Sequence, residues 1–181
     1  DLDRAIAMTL AEAGADLALG TLDPSREFAV ASIANEVWAV GREQFSTALD
    51  AADAVALAAF AAETADRLGR CDLLVVISTS AALAVPPEEI SAEEWAAAVR
   101  GGLTIPFLAV HAFQPVIERD GGGLLVLVGH DSAGLVDSVM QAGRNEIARS
   151  LNASWADRGL QMLTLSAASA AGEIVGLASC P

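Results

Sequence analysis

The chain has 181 residues, 54% of them hydrophobic and 19% charged, with 24 acids against 10 basic residues and a net charge of −14. That composition fills the core of one globular domain and excludes a disordered chain. The acidic balance, with no basic cluster, excludes nucleic acid and anionic membrane as partners, because both need cationic stripes that displace counterions.

The elements follow in order. Ile6, Leu10 and Ala13 recur at helical spacing, and Gly14 stands where such a helix ends in a left-handed turn. A short apolar run, Leu17 to Leu19, follows. The stretch DPSREFAVASIANEVWAVG predicts a second helix with Asp23 as N-cap, Pro24 just inside and Gly41 at its end. FSTALD reads as a strand, the stretch from about Ala52 to Leu68 as a helix, and DLLVVIS, Asp72 to Ser78, as a buried strand. A long helix is expected from near Ser91 past Pro106, then a strand GLLVLVG at Gly123 to Gly129. The stretch DSVMQAGRNEIARSLN, residues 137 to 152, predicts a helix with Met140, Gly143, Ile147, Leu151 and Trp155 along one side. LQMLTLSA, Leu160 to Ala167, predicts another strand. Apolar strands alternating with long helices imply a parallel sheet with helices on each side.

Asp137 and Gln141 are four residues apart, so a helix stacks them on one face, and that face is where function is sought. All ten basic residues are arginine, and lysine and tyrosine are absent. Cys71 and Cys180 form no disulfide framework or metal motif, which predicts a reduced, cytoplasmic setting. His111 sits in a mostly apolar helix and reads as a packed or interface residue, and no metal is expected. His130, Asp131 and Ser132 are adjacent, and neighbours at a strand end point in different directions, which favours a solvated or capping role over a triad. No uninterrupted apolar run reaches the roughly 18 residues of a membrane helix, and no export signal is read at the start. The chain opens inside a helical pattern, as a fragment would.

The order of RAIAMTLAEAGADLAL, LDAAD, RLGRCDLLVVISTS, EEWAAAVRGGLTIPFLAVHAFQPVI, GGGLLVLVGHDSAG and RNEIARSLNASWADRGLQMLTLSAA resembles the short-chain dehydrogenase/reductase family over nearly the whole chain. The resemblance implies a Rossmann-like, doubly wound α/β fold, 1–181 as a single domain, with the first strand and the C-terminal part missing. It places the helix asparagine of the family at Gly102, the serine at about His130, the tyrosine at Asp137 and the lysine at Gln141. A chain without tyrosine or lysine supplies neither the phenol acid/base nor the ammonium that lowers its pKa. The resemblance puts Asp1, Leu2 and Asp3 where the last glycines of a cofactor loop belong, and carboxylates there oppose phosphate. Vestigial cofactor positions fall at Asp50, Val76 and Ser78, with Ile77 and Thr79 completing the strand-end motif.

The expectation is therefore a catalytically inert member of the family, a structural or regulatory subunit binding no cofactor. It would form a homo-oligomer, or a hetero-oligomer with an active homologue, through the long helix and the helix after the fifth strand. The alternative is an oxidoreductase on the same scaffold, using NAD or NADP and unfamiliar residues such as His130 and Asp137.

Overall fold

The computed structural model describes residues 2–50, 53–78, 85–130 and 134–178. It is a Rossmann-like α/β fold with parallel sheets flanked by helices, and the chain divides into two compact units.

The first unit comprises residues 1–70 and 169–181. It holds α1 (Leu2–Glu12), β1 (Leu17–Thr21), α2 (Glu27–Ala39), β2 (Gln44–Ala48) and α3 (Ala54–Leu68), and β1 and β2 pair in parallel. The punctuation follows the residue types. The Asp23 carboxylate accepts from the Ser25 N–H, capping a 3-10 turn at Pro24–Arg26 that leads into α2. Asp53 caps α3 by accepting from the Val55 and Ala56 N–H groups, so the helix begins two residues later than the sequence pattern suggests. Ala13 falls in the turn after α1 and is exposed, while Ala7 and Ala11 pack with Ile33 and Val37.

The second unit, residues 71–168, holds β3 (Leu73–Ile77), α4 (Ala92–Val99), α5 (Ile105–Arg119), β4 (Gly123–Gly129), α6 (Leu135–Trp155) and β5 (Leu160–Ser166). α7 (Ala167–Ala178) follows β5 directly. The sheet runs β3-β4-β5, all parallel, and central β4 is buried from Leu125 to Gly129. Each crossover steps one strand in the same direction, and the right-handed rule then puts α5 and α6 on one face. Two glycines on β4, six residues apart and so on one side of the strand, agree: a β-carbon on Gly123 would meet Ile117 of α5, and one on Gly129 would meet Arg144 of α6.

α4 and α5 are joined by a π-helical turn at Arg100–Thr104, giving one continuous helix from Ala92 to Arg119. Ser91 starts it with a capping box, accepting from the Glu94 N–H while Glu94 accepts from the Ser91 N–H. By length and composition this helix could cross a membrane, although polar residues such as Thr104, His111 and Gln114 interrupt its apolar run. Its buried residues Ile105, Ala109, Val110, Phe113 and Ile117 are accounted for by packing on the sheet.

Candidate active site

The C-terminal ends of β4 and β5 and the first half of α6 line a small cavity of about 40 Å³ that opens to solvent. Its lining is Gly129, His130, Gln141, Arg144, Thr164, Leu165 and Ser166. Ligands of open parallel sheets collect at this end of the strands.

Arg144 is the centre of the site, and the sequence pattern missed it. The stripe read along α6 rotates: Val136, Asp137, Met140, Arg144, Ala148 and Trp155 are buried, while Gly143, Ile147 and Leu151 are half-buried. Arg144 is only 3% exposed. Its Nη1 donates to the Gly102 carbonyl at 3.4 Å. That carbonyl is available because its α-helical partner, four residues on, would be the N–H of Pro106, which proline lacks. Gly102 itself lies against Met140, with no room for a side chain unless Met140 yields. Burial pushes the guanidinium's pKa below its ordinary value, and the charge of Asp137, seven residues earlier on α6, opposes that shift. The group stays cationic at neutral pH.

Arg4, Arg26, Arg42, Arg67, Arg119, Arg149 and Arg158 each pair with a carboxylate, all at least partly exposed. Arg144 is bonded to main chain instead. Arg144 lines the cavity, and its Nη2 and Nε lie where a side chain on Gly129, which also lines it, would sit.

The structure thus brings the four family positions around one cation. Gly102 supplies a carbonyl, Gln141 and exposed His130 line the cavity, and Asp137 is buried on the same helix. Asp131 and Ser132, the rest of the adjacent trio, lie outside the described residues, as do Asp1, Thr79 and Cys180. His111 is exposed and stacks on Phe107 with ring centroids 6.3 Å apart.

The strand-end positions do other work. Val76 is buried in β3, and Ser78 is buried with its N–H on the Val128 carbonyl and its hydroxyl donating to the Gly101 carbonyl at 3.3 Å. In the first unit, Asp50 is exposed after β2, and its carbonyl accepts from the Asp53 N–H. Asp3, in the first turn of α1, pairs with Arg26 at 2.7 Å. Even so, a carboxylate rather than a glycine occupies the end of a helix where a dinucleotide pyrophosphate would need bare N–H groups. Among the described residues no group of three or more metal-ligating side chains is gathered.

The family described as enoyl-(acyl carrier protein) reductase matches residues 3–173. The chain belongs to the short-chain dehydrogenase/reductase family. It is 31% identical over 125 residues to a D-threitol dehydrogenase of Mycolicibacterium smegmatis, covering 66% of this chain and 48% of that one, so it spans about half the length of this curated relative. Among solved structures it resembles a metagenomic short-chain oxidoreductase in complex with NADP, with a TM-score of 0.83 at 23% identity over 99% of this chain and 86% of the other. It also resembles an alcohol dehydrogenase from Thermococcus sibiricus complexed with 5-hydroxy-NADP, with a TM-score of 0.81, 23% identity and the same coverage. Those two structures hold NADP or a derivative of it, whereas the short-chain dehydrogenase/reductase chain described here carries Asp3 at its first helix.

Proposed function

We propose that this chain is a catalytically inert short-chain dehydrogenase/reductase acting as a structural or regulatory subunit in the cytoplasm. The observation that carries the reading is Arg144. The cation at the dyad's place is a buried guanidinium tied to the Gly102 carbonyl, with Asp137 and Gln141 where the resemblance puts tyrosine and lysine. A guanidinium does not exchange protons near neutral pH, and the 181 residues contain no phenol for it to activate. We take residues 1–181 as one domain, since the family match runs through both compact units.

A second reading is supported by His130 and Gln141 sharing the cavity with Arg144. It is an NAD- or NADP-dependent oxidoreductase using His130 and Asp137. Calorimetry with NADH and NADPH, and a hydride-transfer assay offering D-threitol and simple ketones, separate the two. The inert reading expects neither micromolar binding nor turnover. Turnover that Asp137→Asn abolishes would establish the second reading.

A further inference from the structure

We propose that the cavity at the ends of β4 and β5 binds a small monocarboxylate on the Arg144 guanidinium. The proposal rests on the inert reading of this site and gives it a regulatory ligand.

Three observations carry it. Arg144 is a buried cation whose bonded partner is a neutral carbonyl at a long 3.4 Å, and a buried charge is stabilised far more by a charged, hydrogen-bonded partner. Its planar fork of donors matches the two oxygens of a carboxylate. The cavity's volume of about 40 Å³ is room for roughly three waters, which limits the occupant to a few heavy atoms.

The walls set the rest of the chemistry. Gln141 supplies an amide donor, Leu165 an apolar surface for a short alkyl group, and the Thr164 hydroxyl is committed to Asn145 Oδ1 at 2.6 Å. Asp137 is buried on the same helix, in a chain of net charge −14. One local cation facing that negative field favours a single ligand charge over the two of a phosphate.

The test is calorimetry of the cofactor-free chain with acetate and with inorganic phosphate, at constant ionic strength in chloride. Acetate is expected to give saturable one-to-one binding stronger than phosphate. Gln141→Glu places a carboxylate on the cavity wall at an exposed position that tolerates it, and should weaken acetate at least about tenfold. Arg144→Lys keeps the charge without the fork and should also weaken it; if that variant fails to fold, Gln141→Glu still decides. No saturable acetate heat, a preference for phosphate, or unchanged affinity in Gln141→Glu overturns the proposal. Hydride transfer by the chain would sink the inert reading and leave the acetate result to be judged on its own.

Discussion

The guanidinium of Arg144 occupies the space that a side chain on Gly129 would need: a β-carbon there would sit 1.9 Å from Nη2 and 2.4 Å from Cζ. Strand β4 ends in glycine because a helix on the same face lays a cation across it.

Gly129→Ala should therefore expel the guanidinium into the cavity. The clashing atoms are the far end of a flexible side chain, so the cost to folding is on the order of 1 kcal/mol. Acetate binding, in contrast, should disappear. A denaturation curve and a calorimetric titration of the same sample check both halves, and an alanine that leaves acetate affinity intact would separate Gly129 from the site.

Gly122→Ala should behave in the opposite way. Its φ is +99° and its β-carbon would fall 2.2 Å from the Gly159 carbonyl oxygen, which is main chain and cannot swing aside. Strain and collision together should cost about 3 kcal/mol or more. The expected result is a large fall in the urea midpoint, or failure to fold.

The Cys71 thiol gives a pH prediction. Burial, with the charges of Asp72 and Asp120 adding to it, pushes its pKa up to about 11 from an ordinary 9, against an opposing main-chain hydrogen bond at Leu73. Between those values the unfolded thiol has lost its proton and the folded one has kept it. The folded state then binds more protons, so stability falls as pH rises above 9 and levels off past 11, by up to about 3 kcal/mol. Denaturation midpoints from pH 8 to about 11 should show this decline in the parent. Cys71→Ala should flatten it, and equal slopes in the two proteins would refute the assignment.

Assembly is the fourth expectation. Trp95, Phe107, Leu135 and Val139 are more than a third exposed on α4, α5 and α6, and Ala97 is exposed among them. Exposed apolar area of this kind is the basis for expecting an interface here. We expect light scattering to give a dimer or tetramer of this chain, or a complex with an active homologue. Ala97→Arg should reduce the mass to that of the single chain. A parent that is monomeric at every concentration, with no co-purifying homologue, would leave the subunit proposal without its physical basis.

What the sequence made legible was local and chemical. Asp23, Pro24 and Ser91 announce helix starts because an N-cap needs an acceptor and the first turn tolerates a missing N–H. The spacing of Asp137 and Gln141 pointed to the helix whose Gln141 and Arg144 line the cavity. Arg144 escaped because an arginine on a helix usually belongs to a solvated face, as Arg149 does in pairing with Glu146 three residues away. The clue was its seven-residue separation from Asp137, which returns it to the same side after two turns. α7 escaped too: AASAAGEIVGLA follows β5 without a turn.

The π-helical turn at Arg100–Thr104 makes part of this site invisible to mutation in the usual sense. Both contacts it offers, Gly101 to Ser78 and Gly102 to Arg144, are made by carbonyl oxygens that every amino acid possesses. An alanine scan would sample the bulk tolerated at these positions and never delete the acceptors. Removing one residue would do what no substitution can. A π turn is an α-helix with an extra residue, so a one-residue deletion would restore regular winding and swing one half of the helix by roughly 100° relative to the other. Among related chains, a one-residue difference in length at this point would therefore be a sharper sign that the acceptor geometry has changed than any difference in residue type.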